Sequence, residues 1–180
     1  MKKAMFAATV LAGALFAGSV HAKTVKDVVQ EIVQAAANSA VVQAVKEQNA
    51  KGVGLAKIQE QDKEWMGAKE PNAFMKSLTA NSAAKALASA EKSKPYLVEF
   101  ILTDNQGANV AITGMTSDYW QGDEPKFTNA FADGKGETYI ARPQKDKSSG
   151  EVISQVSVPV MADGKAIGTL TVGVRVDKLQ

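Results

Sequence analysis

The nine residues from 116 to 124, Thr-Ser-Asp-Tyr-Trp-Gln-Gly-Asp-Glu, hold the densest group of side chains that could contact a ligand. Tyr119 and Trp120 each combine an apolar ring with a polar tip, and such side chains often form the wall of a small-molecule pocket. A purely structural packing role is an equally good interpretation of both rings. The acidic residues of this stretch are more typical of helix caps and turns than of ligand contacts.

Further candidate ligand contacts lie downstream in two predicted strands. Tyr139 and Arg142 are three residues apart, so both can face one pocket only if their strand bulges or ends near Arg142. The planar guanidinium of Arg142 suits a carboxylate, and a surface ion pair is the alternative interpretation. Ser157 shares a strand face with Gln155, and either side chain could hydrogen-bond a ligand.

The inventory of reactive side chains excludes several kinds of catalytic site. The chain has no cysteine, and His21 is its only histidine. Residues 23–180 therefore lack the groups for Ser/His/Asp or Cys/His nucleophilic catalysis, for histidine or cysteine zinc sites, and for thiol redox chemistry. We predict that the protein is not an enzyme and has no catalytic residues, no metal site and no cofactor.

The first 22 residues have the pattern of a secretory signal peptide. Lys2 and Lys3 precede an apolar run over residues 4–20, and this run ends in Val20-His21-Ala22, with small residues where a peptidase would cleave after Ala22. An uncleaved anchor is the alternative, but this run is shorter than the roughly 20 mostly apolar residues that a membrane span needs. We therefore expect a secreted, periplasmic protein.

The expected mature chain is electrically balanced. Removing residues 1–22 from the 180-residue chain takes away two of the 21 basic residues and none of the 19 acidic ones, which leaves 19 of each sign. A net charge of zero with no basic patch argues against nucleic acid as a partner. The remaining residues suffice for one domain with a substantial core.

The first half of this domain, residues 23–94, has helical periodicity. Apolar residues recur every three or four positions over residues 24–49, which predicts one long amphipathic helix. Shorter helices are predicted over residues 55–66 and 81–94, with one or two further turns near Phe74. The valine stripe of the long helix could alternatively pair with a second copy and form a homodimer.

The second half, residues 95–180, is mainly strand. The strand segments are predicted at residues 96–102, 109–115, 137–142, 152–161 and 166–176, with a helix beginning near Pro125. Short turns join them, including a hairpin turn at Asp163-Gly164. Five strands with helices gathered upstream predict an α+β fold with an antiparallel sheet.

The order of elements and several short motifs resemble the single Cache domain, the extracytoplasmic PAS-like sensor fold also called PDC. The resemblance covers residues 23–180, and its motifs lie at residues 100–104, 116–124, 155–160 and 167–174. It implies a five-stranded antiparallel sheet with a long N-terminal helix and short helices on one face. A ligand pocket on the other face would be roofed by the segment between the second and third strands.

The resemblance also implies a function and a set of contacts. It makes the protein a sensing or binding module for a small polar or anionic metabolite, and it places Asp146 where the acid binds the amino group in amino-acid-sensing members. Because the chain ends at Gln180, we expect a stand-alone domain that relays its ligand state to a membrane-bound sensor partner. The alternative is a ligand-free interaction or dimerisation protein that uses the N-terminal helix. The expected ligand-binding residues are Tyr119, Trp120, Tyr139, Arg142, Asp146 and Ser157.

Overall fold

The computed structural model describes residues 23–145 and 150–179. Within these ranges the helices are α1 (Val25–Ala36), α2 (Ser39–Ala50), α3 (Leu55–Gly67), α4 (Ala73–Ala80), α5 (Ser82–Lys92) and α6 (Pro125–Phe131). The strands are β1 (Leu97–Thr103), β2 (Asn109–Ile112), β3 (Tyr139–Ile140), β4 (Gln144–Lys145), β5 (Val152–Ala162) and β6 (Lys165–Arg175). No helix in the described ranges combines the length and the apolar character that crossing a membrane requires. The predicted signal peptide lies outside the described residues.

The strands form one antiparallel sheet in the order β2-β1-β6-β5-β3, and β4 pairs with β5 next to β3. The long strands β5 and β6 form its central hairpin, whose turn places Asp163 and Gly164 at φ of 51° and 77°. With five helices preceding the first strand, this is the predicted α+β, PAS-like arrangement, and the fold prediction is confirmed. The third predicted strand is shorter than expected, since β3 contains only Tyr139 and Ile140.

The main core lies between one face of the sheet and helices α1, α2 and α5. Val28 and Ile32 of α1 are fully buried against this face. Val156 and Val158, which β5 contributes to the face, are also fully buried. Full burial of such a side chain contributes about 1.5–3 kcal/mol. This helical layer leaves the opposite face of the sheet for other elements.

The N-terminal helix differs from the prediction, because residues 24–49 form two helices rather than one. α1 ends at Ala36 and α2 begins at Ser39. The side-chain oxygen of Asn38 accepts a hydrogen bond from the Ala40 N–H at 2.9 Å and so caps α2. The buried residues of α1 are spaced four positions apart and end at Ala36. The next buried residue, Val41 of α2, lies five positions further along. The break between the helices therefore changes which side of the chain faces the sheet.

On the opposite face, α6 packs against β5 and β6. α6 begins after Glu124 with Pro125 in its first turn, where the sequence predicts the start of a helix. Beneath this layer the sheet carries buried hydroxyl pairs, with Thr103 Oγ1 and Thr169 Oγ1 2.8 Å apart. The strand hydroxyls on this face are therefore satisfied by one another.

A second, smaller core joins α3 and α4 to the sheet edge formed by β1 and β2. Its buried members include Ile58 and Trp65 of α3, Met75 and Leu78 of α4, and Tyr119. Trp65 donates its indole N–H to the Thr116 carbonyl oxygen at 2.9 Å. This core fixes the segment between β2 and α6, which the sequence singled out.

Candidate functional site

Hydrogen bonds between side chains and backbone groups clamp the segment around Tyr119 and Trp120 to its surroundings. Asp62 Oδ1 accepts the N–H groups of Tyr119 and Trp120 at 2.8 and 2.9 Å. The indole N–H of Trp120 donates to the Gln106 carbonyl oxygen at 2.7 Å, and Trp120 forms an antiparallel bridge with Ala108. The segment thus joins α3 to the turn between β1 and β2.

Tyr119 is an interior residue, with only 4% of its surface exposed. Its ring stacks on Trp65 at 5.9 Å between centroids and meets Phe74 edge-on at 5.3 Å. Burial raises the pKa of Tyr119 to about 12, and the neighbouring charge of Asp104 adds to this increase. The phenol therefore stays protonated at physiological pH and helps to hold the second core together.

Two glycines allow the clamp to close. A Cβ atom on Gly107 would lie 2.4 Å from the Gly122 Cα, and one on Gly122 would lie 2.3 Å from Trp120 Nε1. Only glycine at both positions permits this backbone-to-backbone contact, and the Trp120 indole lies directly over Gly122. The structure therefore places Tyr119 and Trp120 in a structural clamp rather than on the wall of the cleft described next.

An open cleft of about 810 Å³ lies where β5 begins, on the sheet face opposite α1. β1, β5, the chain around β4 and the loop after β2 all contribute to it. The residues that line it are Glu99, Ser117, Ala141, Arg142, Gln144, Lys145, Ile153 and Gln155. Of the predicted site residues, Arg142 is brought into this cleft, where it joins Gln155.

Next to the cleft residue Gln155, β6 carries a glycine at a crowded position. Gly173 pairs with Gln155 of β5, so both positions belong to the same face of the sheet. A Cβ atom on Gly173 would lie 3.0 Å from the Val98 side chain and 3.3 Å from that of Ile153. A larger residue would push these neighbours apart, so the packing at this position favours glycine.

Glu99 reaches the cleft because β1 bulges at this residue. The pairing of β1 with β6 shifts between Val98 and Phe100, and Glu99 has φ = 50°, in the left-handed region. A residue other than glycine in this conformation is strained by about 1–2 kcal/mol. Such strain and such bulges are concentrated at functional sites, where a bulge redirects a side chain.

The cations of the cleft come from the sheet edge. β3 ends at Ile140, and Arg142 lies beyond it, so Arg142 is free from the strict alternation of a strand. Lys145 pairs with Val152 in the ladder of β4 and β5. Within the described part of the chain, neither Arg142 nor Glu99 forms an ion pair, so both charges are available to a bound molecule.

The structure does not bring the other predicted contacts to the cleft wall. Tyr139 pairs with Ser157 across β3 and β5. Ser157 is fully buried, and its hydroxyl lies 2.8 Å from that of Thr171. Asp146 lies outside the described residues.

Sequence reasoning missed Glu99, Lys145 and Ser117 as cleft residues. A signal for Glu99 exists, since it is the one charged residue in β1, Leu-Val-Glu-Phe-Ile-Leu-Thr. No glycine next to Glu99 marks the bulge, so the sequence around it predicts an ordinary strand. Lys145 and Ser117 are polar residues in irregular segments, where sequence pattern does not specify side-chain direction.

No protein-family model and no curated protein sequence matches the chain. Among solved structures, it is similar to the sensor domain of the V. cholerae histidine kinase DctB, with 11% identity, a TM-score of 0.47, and coverage of 87% of this chain and 52% of that one. It is also similar to the sensory domain of the Campylobacter jejuni chemoreceptor Tlp3 with isoleucine bound (14% identity, TM-score 0.42, coverage 86% and 62%). A third similar structure is the ligand-binding domain of the Pseudomonas aeruginosa PAO1 chemoreceptor PctC in complex with GABA (14% identity, TM-score 0.44, coverage 86% and 62%).

These three structures are sensor or ligand-binding domains. The chain spans between about half and two thirds of their lengths.

Proposed function

We propose that this protein is an extracytoplasmic sensing module that binds a small polar or anionic metabolite in the cleft beside β5. The observation that carries the proposal is that Glu99, whose backbone is held in a strained conformation, faces the same cleft as Arg142 and Lys145. Opposite charges that line one open cleft suit a ligand with both hydrogen-bond donors and an anionic group.

Each polar side chain of the cleft can recognise a different group of the ligand. The guanidinium of Arg142 can hold a ligand carboxylate through two parallel hydrogen bonds, and Lys145 adds a second positive charge. The carboxylate of Glu99 can accept from an amino or hydroxyl group of the same ligand. Gln155, on the floor, offers both a donor and an acceptor. The three charges sum to +1, which favours a ligand with net negative charge.

The module would be secreted and would signal through a partner protein. Residues 1–22 would direct secretion and be removed after Ala22, as their charge and hydropathy pattern supports. The ligand state of the module would then be read by a membrane-bound partner. Its role would be binding rather than catalysis, in keeping with the lack of histidine and cysteine in residues 23–180.

A thermal-shift screen tests the binding proposal. The panel consists of the twenty amino acids, GABA, and simple mono- and dicarboxylates, and we expect at least one compound to raise the melting temperature of the parent protein. Arg142→Ala and Glu99→Gln should reduce that shift, whereas Lys85→Ala, an exposed change on α5, should leave it intact. A shift that survives both cleft changes would place the binding site elsewhere.

A further inference from the structure

One cleft residue, Ser117, lies in a loop that is fixed on both sides to α3. Before it, the carbonyl oxygen of Thr116 accepts from the Trp65 indole at 2.9 Å. After it, the N–H of Tyr119 donates to Asp62 Oδ1 at 2.8 Å. Ser117 itself is exposed and lines the cleft. The loop therefore has its free apex in the cleft and both of its ends on one helix.

The two anchors lie on the same side of α3. Asp62 and Trp65 are three residues apart, and Ile58 precedes Asp62 by four, so the three side chains share one helix face. Ile58 and Trp65 are 1% and 3% exposed and belong to the second core. One face of α3 thus holds the loop through hydrogen bonds and packs its apolar side chains beside it.

Little else restrains α3. No described helix or strand has more than marginal backbone contact with it. Just before its first turn, the Val53 carbonyl oxygen accepts from the Gln106 side chain at 2.6 Å. At its other end Met66 is 57% exposed. Because α3 is held mainly by the loop and by the second core, a shift of the loop acts directly on the contacts that position the helix.

We propose that occupation of the cleft is transmitted to α3 through Ser117 and the anchors on either side of it. A molecule that contacts Ser117 displaces the loop apex, and Thr116 and Tyr119 move with it. Trp65 and Asp62 follow, because each forms a partly buried hydrogen bond to the loop. The ligand in this scheme rests on the proposed function, whereas the mechanical coupling is a property of the described contacts alone.

A covalent probe tests this coupling without any ligand. The chain contains no cysteine, so the thiol of Ser117→Cys can be modified specifically with sulfonatoethyl methanethiosulfonate, which adds a charged group to the cleft. The matched control is Gly114→Cys with the same adduct, since Gly114 lies in the same loop and faces open space. Hydrogen–deuterium exchange of residues 55–67, followed by mass spectrometry, reports on α3.

We expect the adduct at position 117 to change α3 exchange rates by about twofold or more, while the adduct at position 114 leaves them unchanged. Adding Trp65→Phe, which removes the bond to Thr116, should reduce the response at position 117. Equal α3 exchange with and without the adduct at position 117 would overturn the proposal, as would the same change from both adducts. Failure of the ligand screen would reject the binding function and leave this result unaffected.

Discussion

Glu99 holds a left-handed backbone conformation at the rim of the cleft, with φ = 50°. Glycine adopts this conformation without strain, at the expense of a more flexible unfolded chain. We therefore expect Glu99→Gly to raise the free energy of unfolding by roughly 0.5–1 kcal/mol and to weaken ligand binding. Urea denaturation measures the first effect, and the thermal-shift screen measures the second.

Glu137→Gly is the control for this change, because Glu137 is also exposed but has no left-handed backbone. That substitution should leave stability unchanged or lower it. If both variants lose stability equally, Glu99 carries no strain that glycine can relieve.

Asp104 gives a pH-dependent prediction. It is 3% exposed and accepts from the N–H groups of Gln106 and Ala108 at 2.8 and 2.9 Å. Burial raises its pKa, and these bonds, together with one from Gln48, only partly offset that effect. Because the folded state then binds a proton more tightly than the unfolded state, the contribution of Asp104 to stability falls as pH rises.

The matching variant is Asp104→Asn, which keeps an acceptor oxygen and removes the charge. Its stability relative to the parent should increase from about pH 4, near the ordinary Asp pKa, up through the raised pKa, and then level off. Urea denaturation between pH 4 and 8 measures the difference. A difference that stays constant over this range would contradict the raised pKa, since Tyr119, the other titratable group beside Asp104, titrates far above it.

For individual residues, the sequence indicates which side chains are chemically suited to a ligand better than it indicates where those side chains point. The sequence offers Arg142 as a carboxylate-binding group or as part of a surface ion pair, and the structure brings it to the cleft beyond the end of β3. Trp120 has the composition of a pocket wall, but its ring is oriented by Gln106 and Gly122. The contact with Gln106 joins positions fourteen residues apart, which local pattern does not contain.

Among the elements, β6 depends on Gly168 for its packing. A Cβ atom there would lie 2.1 Å from the Thr103 carbonyl oxygen and 3.0 Å from the Val45 side chain. Gly168→Ala must therefore displace β1 or α2, and we expect a loss of about 1–3 kcal/mol or more in the free energy of unfolding. Chemical denaturation measures it.

Gly114→Ala provides the comparison, because Gly114 has open space around it and no left-handed backbone. Alanine there should be neutral or slightly stabilising. A Gly168→Ala variant as stable as the parent would show that the two strands can separate at this point without loss.

The elements themselves were largely predictable, and their ends were less so. Strong periodicity identified the strands of the β5–β6 hairpin, whose Asp-Gly turn lies where expected. The break between α1 and α2 was missed, because alanine-rich sequence around Ala36 continues a helix equally well. What selects the break is the cap from Asn38 and the packing of Val41 on the sheet, and only the second requires the tertiary structure.

At the scale of the whole molecule, the fold follows from sequence and the cleft does not. Helices followed by strands predict an α+β domain with an antiparallel sheet, and the structure has this architecture. The cleft, in contrast, combines the bulge at Glu99, the sheet edge at Lys145 and the loop apex at Ser117. These positions are distant in sequence, and irregular backbone places each of them.

The central claim is that ligand contacts come from this cleft while the segment around Trp120 is structural. Isothermal titration of the panel compound that stabilises the parent protein most, carried out on Arg142→Ala and Trp120→Phe, tests it directly. We predict that Arg142→Ala weakens binding by about tenfold or more, the loss expected for a charge-assisted hydrogen bond. Trp120→Phe should bind within about twofold of the parent, since it alters the bond to Gln106 and the packing over Gly122 but no residue that lines the cleft. Unchanged affinity in Arg142→Ala together with lost affinity in Trp120→Phe would contradict the account.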